Sequence, residues 1–420
     1  MIVTGFWFAM NGFWLLPLVW LSIVSATIFY YRRDLWAMWK EPALRHPVMI
    51  IESDDWGAGP VEAQAAALNR LTDMLSRHQD QNGRHPVMTL ALVLAVPDGR
   101  AISQDGQYHR ILLDDPLFVP VRHAIERGRA AGVFALQLHG MEHYWPAGLM
   151  ASTDPAVMAW LTAEPPGMTE KLPPHLQSRW VDASVLPSRP LDPSVVEAAV
   201  KEETGLFQRL FGEPPRVAVP PTFVWTEAVE RAWAQAGVAF VVTPGLRSAC
   251  RNITGLPDCD SGPIYNNQPG HGVTYLVRDD YFEPERGHRA ERGLAALDRK
   301  WSQRRACLFE THRSNLIGDE ASTARNLVEI DRLYTLLLGH RPDLRFASTE
   351  ELADAIQQGN PAWVDTRLGI RLAAWLSRAR DVRGYWKMAR LTGLAWLMGL
   401  SARALRINQD ESGLQNRLGG

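Results

Sequence analysis

Between about residue 46 and residue 357 the chain alternates short apolar runs with longer stretches whose apolar residues recur at helical spacing. This alternation constrains the fold more than any other feature. Apolar runs of this length read as buried strands, and each intervening helix supplies the crossover that a parallel pair of strands requires. VMIIES, VMTLALVLA, VFALQL, RVAVP, AFVVTP, CLFETH and LRFAS predict strands. EAQAAALNRLTDMLSRHQ, VRHAIERGRAAG, SVVEAAVKEETGLFQRLFG, TEAVERAWAQAG and STARNLVEIDRLYTLLLG predict helices. Seven such units suggest an α/β barrel over 46–357. No GxGxxG follows the first strand and no P-loop is present, which sets aside the nucleotide-binding α/β sheets. Residues 144–190 and the stretch CDSGPIYNNQPGHG read as loops.

The two ends differ from this middle. MIVTGFWFAMNGFWLLPLVWLSIVSATIFYY carries no charge before Arg32, which predicts an uncleaved transmembrane anchor over 1–31. Arg32, Arg33, Lys40 and Arg45 all follow it, so the positive-inside rule places the rest of the chain on the cytoplasmic side of the cell membrane, with a periplasmic side as the alternative. Residues 361–420 form a basic tail with nine Arg or Lys between Trp363 and Ile407 against Asp365 and Asp381. Its run LTGLAWLMGLSA is too short to span, and reads either as an interfacial helix on an anionic membrane or as a helical appendage packed on the barrel. A membrane is therefore an expected partner. Nucleic acid is not, because the whole chain has a net charge of −2. Three cysteines are too few for a disulfide framework.

In a parallel barrel, functional groups gather at the C-terminal ends of the strands. The first predicted strand ends in SDDWG, with Asp54 and Asp55; the third ends in LHGMEH, with His139 and His143; a late one ends in FETHRSN, with His312. Histidines four apart share one face if the segment is a helical turn, so both rings can reach one cation. One carboxylate and two imidazoles suit an open divalent site, with Zn²⁺ the first expectation and Co²⁺, Ni²⁺ or Mn²⁺ also accommodated. The second carboxylate is then a candidate base and the remaining histidine a candidate acid. Glu52 and Glu310 read either as hydrogen-bond partners of this set or as solvent-facing carboxylates.

SDDWG, HGMEH, VPPTFVWTEAVERAWAQAGVAFVV and LFETH, in this order, resemble the polysaccharide deacetylase superfamily of carbohydrate esterases, the NodB-like domain. The resemblance implies a distorted (β/α)7 barrel that hydrolyses an N- or O-acetyl group from a sugar; the anchor and basic tail suggest that this substrate is held at the membrane, as a lipid-linked sugar or a polysaccharide under export. The resemblance also implies Asp54 as base, Asp55, His139 and His143 as metal ligands, and His312, which corresponds to the histidine of the family's Leu-x-His motif, as acid. Trp56, Pro221, Thr222, Phe223, Trp225 and Arg313 are expected at the substrate groove: tryptophans stack on sugars, and a backbone N–H near Thr222 or Phe223 faces the oxyanion. This sequence departs from the motifs in four places. Gly140 stands where Ser or Thr is usual, and Trp56 intervenes before the glycine of the first motif. Val219 precedes Pro220 and Pro221 where the family has an arginine that holds the base, leaving Arg313 or Arg216 to supply the charge. The aspartate that orients the acid histidine has its nearest counterparts in Asp279 and Asp280.

Two other readings compete. His139-x-x-Glu142-His143 matches the H-x-x-E-H signature of a metalloprotease with Glu142 as base, although Tyr144-Trp145-Pro146 stops any helix there. A barrel that kept its groove and lost turnover would be a membrane-tethered glycan-binding protein.

Overall fold

The structure, a computed structural model, describes residues 3–259 and 261–404, with backbone alone for 3–14 and 259. The chain divides into two compact units. One comprises residues 46–301 and 306–358; the other comprises residues up to 45, 302–305 and those from 359 onward.

The larger unit is built on eight strands, β1 (Met49–Gly57), β2 (Met88–Val93), β3 (Phe134–Gly140), β4 (Val217–Ala218), β5 (Phe240–Thr243), β6 (Thr274–Val277), β7 (Asp280–Tyr281) and β8 (Cys307–His312). They lie in the order β6-β5-β4-β3-β2-β1-β8-β7, and every neighbouring pair is parallel. The α/β class is as expected, and the eight-stranded parallel half-barrel, with β6 and β7 as its two edges, fits the distorted barrel expected, although it has eight strands rather than seven. Six of the seven predicted strands are present. LRFAS is not a strand: it makes one bridge, Val48 to Arg345, after which Ser348 starts a helix. Its Oγ accepts from the Glu351 N–H while the Glu351 carboxylate accepts from the Ser348 N–H, and this capping box wins over the apolar run before it.

Seven longer helices cover this unit: α1 (Val61–Leu75), α2 (Val119–Ala130), α3 (Pro193–Phe211), α4 (Glu227–Gln235), α5 (Ala290–Ser302), α6 (Glu320–His340) and α7 (Thr349–Gln357). Their limits follow local chemistry. In α3, Asp192 caps the Ser194 N–H, Pro193 occupies the first turn, and Gly212 ends the helix at φ 84°. Leu68, Leu71 and Leu75 of α1, Phe207 of α3, Trp233 of α4 and Leu333 and Leu337 of α6 are buried with Leu90 and Leu92 of β2 in one core. Parallel strands covered on both faces are buried throughout, and β1 and β2 have no exposed residue. The polar run Glu52-Ser53-Asp54-Asp55 is therefore inside the unit. The stretch 144–190 is more than a loop, since Tyr144, Leu149, Trp160, Leu161, Leu172 and Leu176 form a second small core with Ile102.

In the smaller unit the predicted tail and the N-terminal helices fold together. Leu35 is buried with Ala379, Tyr385 and Ala389. Arg378 is buried and donates to the carbonyls of Met38, Glu41, Pro42 and Gln303, which satisfies the C-terminal end of the helix Arg32–Lys40. Arg305 grips both oxygens of Glu41 at 2.7 Å, and Trp20 Nε1 donates to the Thr392 carbonyl at 2.7 Å. Residues 405–420 of the predicted tail lie outside the described residues.

The single-pass anchor is corrected. Among the described residues no single helix is long and apolar enough to cross a membrane. Leu15–Tyr30 and Arg32–Lys40 reach the required length and composition only together, and they are bent by 66° where Tyr31 leaves helical geometry.

Candidate active site

β1 carries the two aspartates, and its irregularity separates them. The register with β2 slips between Ser53 and Trp56, and Asp55 takes a left-handed φ of 74°. Such a backbone is strained for a residue with a Cβ and persists only where its surroundings enforce it. The two adjacent carboxylates consequently meet different partners, Asp54 a guanidinium and Asp55 two imidazoles.

Asp55 Oδ1 lies 3.5 Å from His139 Nε2 and 3.4 Å from His143 Nε2. All three side chains are buried, and among the described residues Asp55 Oδ1 has no hydrogen-bond partner. His139 Nδ1 donates to the Val219 carbonyl at 2.8 Å, which fixes the ring and turns Nε2 toward Asp55. Burial pushes the His143 ring down to about 4, toward the neutral form that a ligand needs. A buried orphan oxygen facing two ring nitrogens fits a divalent cation. The pair does not sit on a helix: His139 belongs to β3, and His143 follows in a series of bends. Gly140 makes that turn, at φ 115°, and a Cβ there would stand 2.8 Å from Arg179 Cδ and 2.9 Å from the Glu142 carbonyl. No serine or threonine fits this place.

Asp54 is held by Arg278, from the residue after β6. Nη1 donates to Oδ1 at 2.9 Å and Nη2 to Oδ2 at 2.6 Å. Burial opposes ionisation of Asp54, but the Arg278 charge and hydrogen bonds, together with the His139 and His312 charges, outweigh it and hold the carboxyl below its ordinary range. Arg278 also donates to Glu52 at 2.9 Å and Glu310 at 3.0 Å. Arg278 therefore supplies the charge expected from Arg313 or Arg216. Arg313 is buried, is paired with Glu170 and faces the Ala58 carbonyl, while Arg216 is paired with Asp354 and Glu350.

His312 stands opposite Asp54 in the ladder between β1 and β8. Its Nδ1 donates to Glu283 Oε1 at 2.6 Å, and its side chain is 28% exposed, enough for a substrate to reach Nε2. Burial pulls the ring's pKa down, but the Glu283 hydrogen bond and the Asp55 and Asp54 charges prevail and raise it to about 10. Glu283 is thus the orienting carboxylate that sequence reading sought in Asp279 and Asp280. Those two pair instead with Lys300 and Arg299.

The expected groove residues divide. Thr222 and Phe223 are partly exposed, both with φ of 55°, and Pro221 is buried beside them. The Phe223 N–H is already donated to the Pro220 carbonyl at 3.0 Å, which leaves the Thr222 N–H as the candidate donor to an oxyanion. Trp56 and Trp225 are corrected: both are 0% exposed, with ring N–H groups bonded to Ser53 and Glu230, so neither has a face for a sugar. Glu142 is no base either. It is buried and paired with Arg179 at 2.5 Å and Arg110 at 2.9 Å, which removes the protease reading.

No protein-family model and no curated protein matches the sequence. Solved structures do. The chain is similar to a family 4 carbohydrate esterase from Streptomyces lividans in complex with acetate (12% identity, 77% of this chain and 98% of that one, TM-score 0.33). It is also similar to a family 4 acetyl xylan esterase from Clostridium thermocellum in complex with a cobalt ion (12%, 75% and 94%, TM-score 0.35). A third is a 4-alpha-glucanotransferase from Thermococcus litoralis (8%, 73% and 40%, TM-score 0.38). At these values no activity follows from the likeness.

Proposed function

We propose that the larger unit hydrolyses an acyl group, in the first instance acetyl, from a glycan, free or lipid-linked, with a divalent cation at Asp55, His139 and His143. The observation that carries this reading is the division of labour around β1: Asp54 clamped by Arg278 on one side, Asp55 facing two imidazoles on another, and His312 across the ladder with its proton held by Glu283. The cation, when bound, supplies Lewis acidity at the acyl carbonyl, and Zn²⁺, Co²⁺, Ni²⁺ and Mn²⁺ all suit the donor set.

The chain's own residues supply the rest. Asp54, kept ionised by Arg278, accepts a proton from the water that attacks the carbonyl carbon. The Thr222 N–H faces the oxygen on which negative charge develops. His312 gives its Nε2 proton to the departing nitrogen or oxygen as the bond to carbon breaks, and the acyl group leaves as the acid. Base and acid thus stand on different elements and need not compete for one proton.

The test is elemental analysis and acetate release from chitotetraose by the full chain, with Asp54→Asn beside it. The variant is expected to keep about one equivalent of metal and lose turnover. A variant with near-normal rate removes Asp54 from the mechanism. A wild type that holds metal and a sugar but never releases acetate favours the glycan-binding reading.

A further inference from the structure

Glu310 has no part in the mechanism above, yet it lies beside the atom that protonates the leaving group. Glu310 and His312 are two apart on β8 and so share a face of the strand. Glu310 is 5% exposed. Its Oε2 accepts from Arg278 Nη2 at 3.0 Å; its Oε1 stands 3.7 Å from His312 Nε2 and has no hydrogen-bond partner among the described residues. A buried carboxylate oxygen is thus aimed at the position where the leaving atom must sit to receive the His312 proton.

We propose that Glu310 selects for an amine leaving group, so that the substrate is an N-acylated amino sugar rather than a sugar ester. The inference rests on the deacylase reading and deepens it. When a C–N bond breaks and the nitrogen takes its proton from His312, the product is a neutral amine; at neutral pH it takes a second proton, from the carboxylic acid released beside it, and becomes an ammonium with N–H groups to donate and a positive charge. Glu310 Oε1 accepts one of those hydrogens and pairs with that charge. An alcohol leaving group stays neutral and turns lone pairs toward the same oxygen, which gains at most one ordinary hydrogen bond. The charge balance points the same way. Glu52, Asp54 and Glu310 surround one guanidinium, and the protonated His312 beside Glu310 is the second positive charge of the cluster, one that it gives up as it protonates the leaving group. Burial pushes the Glu310 carboxyl above its ordinary range against the pull of Arg278 and His312, and an ammonium at Oε1 replaces the charge that His312 gives up.

A second metal ion is the other candidate for this place, because atoms of Asp54, Glu310 and His312 lie within 4.8 Å of one another. It is disfavoured. Arg278 already bonds both oxygens of Asp54 and one of Glu310, which leaves too few uncommitted donors for a divalent ion and enough for one N–H.

The experiment compares the full chain with Glu310→Gln and Glu310→Asp on two probes, chitotetraose as the amide and an O-acetylated xylotetraose as the ester, with metal content measured for each. Glu310→Gln is expected to lower kcat/KM on the amide at least about tenfold more than on the ester, with Glu310→Asp between the two. In parallel, calorimetric titration with glucosamine tetramer, the product amine, is expected to show binding weakened about tenfold by Glu310→Gln. Equal losses on both probes, or equal affinity of wild type and Glu310→Gln for the glucosamine tetramer, would overturn the proposal. So would a second equivalent of metal that Glu310→Gln removes. A wild type that releases acetate from neither probe counts against the deacylase reading itself, and the titration still decides the role of Glu310.

Discussion

Arg278 grips both carboxylate oxygens of Asp54, at 2.9 and 2.6 Å, across 224 residues of sequence. The same guanidinium bonds Glu52 and Glu310, and all four groups are buried. Taking one cation away leaves three carboxylates without their shared partner, and an uncompensated buried charge costs far more than a surface one. Arg278→Met is expected to destabilise the larger unit by about 3–5 kcal/mol, read as a lower urea midpoint. Arg278→Lys keeps the charge but not the two-pronged grip, and is expected to retain metal while kcat falls roughly 10–100-fold. Unchanged midpoints in both variants would show that these carboxylates do not depend on Arg278.

The Glu283–His312 pair sets a pH dependence whose sign can be worked out. The folded His312 has its pKa raised to about 10, above the ordinary 6.5, with the Glu283 hydrogen bond the largest upward cause. The charged form is therefore favoured in the folded chain. Its contribution to stability is fully present below the unfolded value and is lost as pH rises through the folded one. The acid is protonated through the neutral range, and the alkaline limb of the kcat/KM profile reports its loss. Glu283→Gln is expected to move that limb to lower pH while metal content stays the same. A limb that does not move would assign it to some group other than His312.

Much of this site could be read from the sequence, and the unread part has a common cause. Asp54, Asp55, His139, His143 and His312 each end an apolar run of a parallel sheet, where strand ends converge, and this rule needs no knowledge of distant pairing. Arg278 and Glu283 follow no such run. β6 has four residues and β7 two, both at sheet edges beyond an Asn- and Gly-rich stretch, too short for any periodicity to show. The segment VRDDYFEP drew attention only through its aspartates, although its arginine and its glutamate are the residues that reach the site. The N-terminal helices misled differently. Their composition suits a membrane span, but composition does not show that the helix axis bends by 66° or that Arg378 turns inward onto Met38 and Glu41.

Gly140 joins the two histidine ligand candidates at φ 115°, with backbone and Arg179 within 3 Å of where a Cβ would be. Gly140→Ala pays for both the left-handed backbone and the close approach, about 1–3 kcal/mol. Because the strain falls between His139 and His143, metal affinity is expected to fall with stability. Metal titration beside a urea melt checks this. Normal affinity in a destabilised chain would mean that the turn yields without moving the rings.

Trp56 separates a packing role from a sugar-binding one. It follows the two aspartates directly, yet it is fully buried, with Nε1 donating to Ser53 Oγ at 2.8 Å. Its ring belongs to the main core with Ala58, Leu92 and Leu113. Removing so large a buried side chain costs transfer energy plus the cavity left behind, about 3–5 kcal/mol for Trp56→Ala. Trp56→Phe keeps most of the volume and loses one hydrogen bond, at a cost of about 1–2 kcal/mol. A packing role predicts that KM for a glycan is the same in Trp56→Phe as in the wild type while the urea midpoint drops. A KM that rises several-fold with an unchanged midpoint would mean instead that β1 opens far enough for a sugar to stack on this ring.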